Sequence, residues 1–505
     1  MSASVTHVAI VGGGVTGWSA AAMLAGRLGE GVKFTLLDIP EKGGESPRCQ
    51  ASLPSIRGYN RLAGVDEVDL VTRGGAAYTL ATAYRNWQGD GGDHFLPFAA
   101  HGFMLERRDF HGFAAQQRRR GDSTPYDHYS VAALAARQGR YRPPSPKPGS
   151  LFAGLDYGLQ LDTAIYTGML RARALAAGVE VVESALAGVE RNALGEIEEL
   201  CLTDRRAPLK ADLYLDCSGR CARLIGEALA EPRIHAGDCM PADRCVSVTF
   251  TPDRPVPHST LAALEQGWIY SVSAPTGTEA TLYFCCELIA DERALALLRQ
   301  WSGGNEKEDG AFRAVSPGRR RRSWSGNCIA LGEAAQSLDS FVTGPLHWAQ
   351  ESVVRLLQQF PASRDFSRSR DEFNRRAALE FEHRRDFARL HAWLGAGIDG
   401  QFWRRAAELP VSDALQHRLD LFRQRGIMPF YEGDPMPQAL WISLLLGHNH
   451  WPQERDAIVA AMDPGWIAEQ LERMRTLMAR AVASMPGHDE YLRYLVQSKK
   501  QNTGT

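Results

Sequence analysis

A glycine-rich turn with the spacing Gly-x-Gly-x-x-Gly follows a short apolar run, residues 7–11, near the start of the chain. In such a turn Gly12 permits the sharp bend, Gly14 lets the backbone approach a pyrophosphate, and Gly17 lets the following helix pack on the strand. The free N–H groups at the helix start then attract the anion. The pattern predicts a nucleotide diphosphate site formed by Gly12, Gly14, Val15, Thr16 and Gly17.

An acidic residue stands at the distance from this turn that a dinucleotide site requires. The second predicted strand, residues 32–37, ends at Asp38, about 20 residues beyond Gly17, where a carboxylate accepts a ribose hydroxyl. The flanking strand, helix and acid favour a ligand site over a glycine turn without a ligand. Residues 395–400 also match the glycine pattern, but they follow a helix-like segment, so we predict a helix C-terminal loop there.

A second motif distinguishes between dinucleotides. A predicted buried strand, residues 327–331, runs into Gly332 and Glu333, and a helix follows from about His347. In a two-motif flavin fold this pair brings a backbone N–H and a carboxylate to the ribityl chain, which favours FAD over NAD; the alternative is an ordinary strand-turn-helix. Outside the first turn, the candidate residues for the ribose, adenine, ribityl chain and flavin ring are Asp38, Leu186, Glu333, Gly344 and Leu346.

The composition is that of a globular protein with 44% apolar and 23% charged residues among 505. A formal net charge of −2 gives no electrostatic case for nucleic acid or an anionic membrane as a partner. The nine cysteines include no paired Cys-x-x-Cys spacing, so we expect neither a metal site nor a disulfide framework. No apolar run approaches ~20 residues and no signal peptide precedes the first strand, so we expect a cytoplasmic protein.

Strand and helix signals alternate up to about residue 350, and long charged helical patterns dominate afterwards. This change predicts an α/β module over residues 1–350 and a helical region over residues 351–505. Several short strand patterns between residues 245 and 290 indicate an antiparallel sheet, and segments at about 90–145 and 235–295 are assigned to the substrate side. The predicted fold class is α/β, with a Rossmann-like, two-dinucleotide-type FAD-binding module, this substrate-side sheet and a C-terminal α-helical region.

Taken together, these residues resemble the flavin-dependent tryptophan halogenase family along nearly the whole chain. The segments that carry the resemblance are residues 12–18, 216–219, 267–270, 328–333, 346–347, 385–387, 390–391, 402–404 and 485–491. The resemblance implies that reduced FAD comes from a separate flavin reductase and reacts with oxygen and halide. It further implies that hypohalous acid reaches a lysine beside an aromatic substrate, with a glutamate assisting.

Both members of that catalytic pair are replaced in this chain. The family's lysine segment matches residues 76–87 and places Thr79 at the lysine position, and no lysine occurs between Lys42 and Lys147. A threonine hydroxyl supplies neither a cation nor an amine able to carry chlorine. The glutamate position falls on Val342, which cannot act as a base. If another loop has taken over the role, Arg85 and His94 are the nearest candidates in sequence.

The halide and substrate positions also depart from the family pattern. Two successive N–H groups expected to hold halide correspond to Gly344 and Pro345, and proline has no N–H, so one donor remains and we expect weak halide binding. On the substrate side, the family's Trp-x-Trp signature keeps only its first tryptophan and its His-Pro-Phe segment begins with leucine. The candidate substrate residues are therefore Leu96, Phe98, Trp268 and Tyr270.

Three functional hypotheses remain. The first is an FAD-dependent oxygenase or oxidase that acts on an indole-like or phenol-like aromatic without halogenating it. The second is a true halogenase with relocated catalytic groups, acting on a tryptophan-like or peptide-linked aromatic. The third is an FAD-binding protein without catalysis of its own. In each case the C-terminal helical region is expected to cover the substrate pocket and to offer a homodimer face.

Overall fold

The computed structural model describes residues 4–39, 46–203, 207–251, 254–304, 309–338 and 341–503. The chain forms two compact units, each assembled from three segments. Unit 1 comprises Met1–Ala76, Leu161–Gly237 and Val315–Glu382, and unit 2 comprises Ala77–Gln160, Asp238–Ala314 and His383–Thr505. The predicted division at residue 350 marks a change in secondary structure, because every described element from Pro345 onward is helical. As a domain boundary it stays a prediction.

The strands alternate with helices over the first two thirds of the chain. In chain order they are β1 (His7–Val11), β2 (Lys33–Asp38), β3 (Cys49–Ala51), β4 (Ala76–Thr79), β5 (Ala81–Arg85), β6 (Asp93–Pro97), β7 (Gly158–Asp162), β8 (Glu180–Glu183), β9 (Leu186–Arg191), β10 (Ile197–Leu202), β11 (Leu213–Asp216), β12 (Arg233–His235), β13 (Arg244–Phe250), β14 (His258–Leu264), β15 (Gly267–Ala274), β16 (Gly277–Phe284), β17 (Ala311–Ala314), β18 (Gly318–Arg320), β19 (Trp324–Ser325), β20 (Cys328–Ala330) and β21 (Gln336–Ser337).

The described residues form fifteen α-helices, and the longest of these lie in the last third of the chain. They are α1 (Val15–Leu28), α2 (Ile56–Ala63), α3 (Glu67–Thr72), α4 (Phe110–Arg118), α5 (Val131–Arg137), α6 (Thr163–Ala176), α7 (Asp291–Ser302), α8 (Pro345–Gln358), α9 (Ser367–Leu394), α10 (Gln401–Glu408), α11 (Asp413–Arg425), α12 (Gln438–Gly447), α13 (Ala457–Ala461), α14 (Pro464–Ala483) and α15 (His488–Thr503). Three of the five boundaries between the units fall within β4, β7 and α9, and the other two follow β12 and β17.

Unit 1 is built on a six-stranded sheet in the order β19-β20-β11-β1-β2-β8. Only the short β19 pairs antiparallel; β1 pairs parallel with both β11 and β2. The residues from Val8 to Val11 are wholly buried, as expected for a parallel strand that is covered on both faces. The arrangement confirms the predicted Rossmann-like module. Gly12 follows β1 and Asp38 ends β2, so both lie at the carboxyl edge of the sheet, where ligands bind in such folds.

Unit 2 is built on a seven-stranded sheet in the order β17-β13-β16-β15-β14-β5-β6. Its pairs are antiparallel except for β5 with β14, which confirms the predicted antiparallel sheet. On one face Val246, Ile269 and Leu282 form an apolar core with Leu298 of α7. Because side chains alternate along a strand, the opposite face carries a different set of residues, including Trp268 of β15.

A buried ion pair fixes part of the helical region of unit 2. Arg418 on α11 contacts Asp434, and the two side chains are only 1% and 6% exposed. The guanidinium also lies 4.5 Å from the ring centre of Tyr431 and 4.3 Å from that of Trp441 on α12. Two aromatic rings and a carboxylate thus stabilise a cation that has almost no access to water.

All nine cysteines are free thiols. Within the described residues, no group of three or more His, Cys, Asp or Glu is arranged to hold a metal ion. Among the helices that the structure describes, none is both long enough and apolar enough to span a membrane.

We predict that Arg418→Met lowers the free energy of unfolding by about 3–5 kcal/mol, because the buried Asp434 loses its partner. Chemical denaturation followed by circular dichroism measures this change. Arg423→Met on the same helix is the matched control, since Arg423 pairs with Asp420 at the surface, and it should cost less than about 1 kcal/mol. Equal effects of the two substitutions would contradict the assigned role of the buried pair.

Candidate functional site

The glycine-rich turn of unit 1 packs so closely that side chains are excluded at two of its positions. Gly12 has φ of +116°, and a Cβ there would lie 2.4 Å from the carbonyl oxygen of Cys217. A Cβ on Gly17 would lie 1.9 Å from the carbonyl oxygen of Gly12. Helix α1 therefore begins directly against the turn, with no side chain capping its first N–H groups. These groups form a cradle that fits the pyrophosphate of a dinucleotide.

Asp38 reaches the same turn from the end of β2. A Cβ on Gly13 would lie 1.8 Å from the Asp38 Oδ1 atom, so the carboxylate occupies the space that a side chain at position 13 would need. Burial raises the pKa of Asp38, and the nearby Arg171 opposes that rise. The structure thus brings the predicted ribose acceptor against the middle of the predicted pyrophosphate turn. Sequence analysis assigned no role to Gly13.

The second cofactor motif meets the first turn in unit 1. Gly332 has φ of +60°, and a Cβ there would lie 2.9 Å from Thr16 Oγ1, which accounts for glycine at this position. The carboxylate of Glu333 accepts a hydrogen bond from Arg220 Nε at 2.8 Å. Leu186 begins β9 and is buried in the apolar cluster of unit 1. The residues present therefore fit an FAD, with Glu333 oriented by a cation that sequence analysis did not include.

The predicted flavin loop makes hydrogen bonds within unit 1 that change the halide expectation. The Gly344 N–H donates to the carbonyl oxygen of Ala51 at 3.1 Å. The Leu346 N–H donates to Gln50 Oε1 at 2.9 Å. From the sequence, we expected the Gly344 N–H to remain as one donor for halide. The structure corrects this expectation, because that N–H already donates to Ala51. Pro345 contributes no N–H.

The side chains are uncharged at both positions that the resemblance matched to the family's lysine and glutamate. Thr79 in unit 2 is fully buried, and its hydroxyl donates to the carbonyl oxygen of Ala81 at 3.3 Å. Val342 in unit 1 is 2% exposed. The loop residue Asp339, close to Val342 in the chain, lies outside the described residues. Neither position provides a charge or an amine.

No described lysine replaces the missing amine. The chain has seven lysines, of which Lys42 and Lys307 lie outside the described residues. The other five are exposed or half-buried: Lys33, Lys147, Lys210, Lys499 and Lys500. Of the two substitutes suggested by sequence, Arg85 pairs with Asp93, and His94 is buried.

The four predicted substrate residues lie in or beside the sheet of unit 2. Leu96 and Trp268 are wholly buried, and Trp268 stacks on Tyr283 with ring centres 4.7 Å apart. Tyr270 is buried on the same strand, and burial raises the pKa of its hydroxyl. Phe98 follows β6 and is half-buried. Their assignment to the substrate stays a prediction.

Unit 2 also contains a cavity of about 330 Å³ that sequence analysis did not identify. Its residues come from β5, β6, the segment before α5 and the end of α12, so no local motif could have signalled it. None of the four predicted substrate residues is among those that line it. The wall includes Tyr84, Trp87, Tyr126, Trp451, His94, His448 and Asp127.

Histidines around this cavity are buried and neutral. Burial lowers the pKa of His94 to about 4 and that of His101 to about 3, and it lowers the pKa of His448 well below its usual range. Burial also lowers the pKa of His391 to about 4. His391 Nδ1 lies 2.7 Å from the carbonyl oxygen of Phe387, so it carries the proton, and Nε2 accepts from the Tyr84 hydroxyl at 2.8 Å.

Comparison with known proteins gives a family match and close structural relatives. The family model described as tryptophan halogenase matches residues 7–464. The flavin-dependent halogenase BrvH from Brevundimonas sp. BAL3 superposes with a TM-score of 0.92 at 31% identity, covering 97% of this chain and 99% of that one. The flavin-dependent halogenase Xcc4156 from Xanthomonas campestris gives 0.91 at 28% identity, covering 97% and 98%. Tryptophan 7-halogenase RebH of Lentzea aerocolonigenes is 27% identical over 84% of this chain and 83% of its own.

We predict that Gly13→Ala weakens FAD binding at least about tenfold, because the added methyl group displaces the Asp38 carboxylate from the turn. Flavin fluorescence titration measures the dissociation constant. Gly26→Ala is the matched control on the adjoining helix, since no atom lies within 4 Å of the added group. The control should bind FAD normally, and helix propensity should stabilise it by about 0.5–1 kcal/mol. Unchanged FAD affinity in Gly13→Ala would contradict the assigned site.

We predict that acid destabilises the protein well above the pH at which its carboxylates titrate. The imidazoles of His94, His101 and His391 titrate near 6.5 in the unfolded chain. In the folded chain burial lowers the pKa to about 4 for His94 and His391 and to about 3 for His101, so protonation below pH 6.5 favours unfolding. Each of these histidines contributes to the free energy of unfolding near neutral pH, and this contribution is lost as the pH falls from 6.5 toward 4. Between pH 7 and 5 the expected loss is about 2 kcal/mol per histidine, seen as a falling melting temperature.

A variant tests whether these histidines cause the loss. His101→Phe keeps an aromatic ring against Tyr126, on which His101 stacks at 4.2 Å, and removes one titrating group. Its melting temperature should fall less steeply with pH than that of the natural chain. The exposed His235→Asn is the control and should leave the slope unchanged. A profile that is flat between pH 7 and 5 in the natural chain would contradict this interpretation.

Proposed function

Because the chain belongs to the tryptophan halogenase family, we propose that it uses reduced FAD and oxygen to oxygenate or oxidise an electron-rich aromatic without halogenating it. Family membership makes it an enzyme of the FAD-dependent oxidoreductase type, and the family obtains reduced flavin from a separate reductase. One observation carries the proposal. Threonine stands at position 79, where the resemblance leads us to expect the family's lysine, and none of the five described lysines is buried.

In this proposal, residues of unit 1 bind the cofactor. The turn from Gly12 to Gly17 would hold the pyrophosphate, with Val15 and Thr16 in the first turn of α1. Asp38 would accept a ribose hydroxyl, and Leu186 would lie beside the adenine. Glu333, Gly344 and Leu346 would serve the ribityl chain and ring. When bound, reduced FAD supplies the activation of oxygen. The residues of the chain bind it and exclude water.

Halide use is disfavoured by the residues at three positions where the family resemblance leads us to expect halogenating groups. Electrophilic chlorine needs a nucleophilic nitrogen to carry it, and the hydroxyl of Thr79 is engaged with Ala81. Val342 offers no carboxylate to deprotonate an aromatic substrate. The Gly344 N–H is bonded to Ala51, so a halide would have to displace that bond. Transfer of oxygen to an electron-rich ring needs none of these three groups.

Halogenation by relocated groups is the second candidate. It is favoured by the similarity to BrvH and Xcc4156, both of which are described as flavin-dependent halogenases. The substrate would then be a tryptophan-like or peptide-linked aromatic. The free thiols agree with a reducing compartment, and we propose the cytoplasm, where a flavin reductase would be the partner.

We predict an oxygenated product whose rate of formation does not depend on halide. The protein is supplied with FAD, a flavin reductase, NADH, oxygen and a panel of indoles and phenols, with chloride and bromide varied from absent to saturating. Mass spectrometry should show addition of one oxygen atom, or loss of hydrogen, at every halide concentration. A reaction without the protein controls for free reduced flavin. Halogenated product that rises with halide would replace this proposal with the second candidate.

A further inference from the structure

A side chain of β3 reaches the predicted flavin loop of unit 1. The Leu346 N–H donates to Gln50 Oε1 at 2.9 Å. The Thr343 hydroxyl and the Gly344 N–H both donate to the carbonyl oxygen of Ala51, at 2.7 Å and 3.1 Å. Two adjacent residues of β3 thus hold the loop by three hydrogen bonds. Only the bond to Gln50 involves a side chain of β3, so it is the one that a substitution there can remove.

The amide of Gln50 is fixed at both ends. An N–H needs an acceptor, so the amide atom that faces Leu346 is the oxygen. The amide nitrogen donates to Thr163 Oγ1 at 3.3 Å, at the first residue of α6. That hydroxyl can accept, because its own proton goes to the carbonyl oxygen of Pro47 at 2.6 Å. Gln50 therefore connects the starts of two helices, α6 and α8, with donor and acceptor in a defined order.

The contact between Gln50 and the loop is closely packed and closed to solvent. Gln50 is 2% exposed and Leu346 is 3% exposed. A Cβ on Gly344 would lie 3.0 Å from Gln50 Oε1 and 3.4 Å from Gln50 Cβ, so the side chain packs directly on the loop. A buried N–H that loses its acceptor is costly, and the loop would have to move for that N–H to find another.

Gln50 supplies an acceptor that helix α8 lacks within itself. The first N–H groups of a helix have no partner inside it. The N-cap residue of α8 is Gly344, which has no side chain to accept them, and Pro345 at the first position has no N–H. The acceptor from β3 is neutral. A carboxylate at the same place would bond more strongly, but it would compensate the positive end of the helix dipole, which the amide leaves uncompensated.

We propose that Gln50 is a positioning residue for the cofactor. It acts through the Leu346 N–H, which fixes the flavin loop on β3, and this step rests on the assignment of Gly344 and Leu346 to the flavin in the proposed function. Its neutral amide also leaves the positive end of α8 available to the negative charge of reduced FAD. Gln50 thus sets both the affinity for FAD and the balance between its reduced and oxidised forms.

Two substitutions at position 50 separate the hydrogen bond from the charge. Gln50→Leu removes the acceptor at similar volume, so oxidised FAD should bind at least about tenfold more weakly in a fluorescence titration. Gln50→Glu keeps an acceptor for Leu346, and the Thr163 hydroxyl can turn to donate to the second carboxylate oxygen. It should therefore bind oxidised FAD within about threefold of the natural chain. Natural affinity in Gln50→Leu, or an equal loss in both variants, would overturn the positioning role.

A buried glutamine on α8 provides the matched control. Gln350 is also 2% exposed, but its amide nitrogen donates to the Tyr166 hydroxyl at 2.8 Å and not to the loop. Gln350→Leu should therefore bind FAD as the natural chain does. A loss equal to that of Gln50→Leu would show that removal of any buried amide near α8 loosens the site, and it would overturn the specific role of Gln50. Circular dichroism verifies that the variants fold.

The reduction potential of bound FAD tests the role of the neutral amide. It reports the ratio of the dissociation constants for the oxidised and reduced forms, and an anaerobic titration against a dye of known potential measures it. A loss of packing alone weakens the binding of both forms and leaves the ratio unchanged. Gln50→Glu places a negative charge at the start of α8, so reduced FAD should lose at least about threefold in affinity relative to oxidised FAD. An unchanged ratio would overturn the electrostatic role of Gln50.

These measurements use neither an aromatic substrate nor halide, so the two proposals can fail separately. Natural FAD affinity in Gln50→Leu would contradict this inference alone. A halogenated product that depends on halide would contradict the proposed function alone. A natural chain that does not bind FAD would contradict both.

Discussion

The start of α1 lies in direct contact with the turn that precedes it, and the cofactor half of the protein depends on that contact. A Cβ on Gly17 would lie only 1.9 Å from the Gly12 carbonyl oxygen, and a Cβ on Gly13 would lie only 1.8 Å from the Asp38 carboxylate. A side chain at position 17 would therefore push α1 away from the turn, and one at position 13 would displace Asp38. Gly332 is constrained in the same way, because a Cβ there would lie 2.9 Å from Thr16 Oγ1. Four elements thus converge at one edge of a parallel sheet, where backbone N–H groups face an anion.

The interior of unit 2 has a different electrostatic character. Burial keeps His94 and His391 neutral, the buried Arg418 is paired with Asp434, and none of the described lysines is buried. A protein that carries electrophilic halogen on an amine needs a basic nitrogen inside, and burial without a partner would make such a group expensive. A threonine at position 79 avoids the cost of burying a basic nitrogen. On our account, the chain thereby also lacks the group that halogen transfer requires.

Local patterns in the sequence predicted the parts of the fold that depend on local geometry. The glycine spacing predicted the turn between β1 and α1, the apolar run with its terminal acid predicted β2, and the helix-like segment before Gly395 predicted a helix end there, where α9 stops at Leu394. Interactions between distant segments could not be read in this way. The bond from the Gly344 N–H to Ala51 joins residues almost 300 positions apart, and it corrected the halide expectation.

The cavity of unit 2 shows the same limit of local patterns. Two of its lining residues, Asp127 and His448, come from segments far apart in the chain. No spacing rule connects such residues. By contrast, the residue types at positions 79 and 342 are visible in the sequence, and neither threonine nor valine supplies an amine or a carboxylate.

The central claim is that a flavin site persists in a chain that has lost the nitrogen for halogen transfer. Its most direct test is the fate of isotope-labelled dioxygen when the reduced, FAD-loaded protein reacts once with an aromatic substrate in saturating bromide. Our account predicts labelled oxygen in the aromatic product, or oxidation with the label in water or hydrogen peroxide, and no bromine in the product. A brominated aromatic free of labelled oxygen, formed at a rate set by bromide, would contradict it.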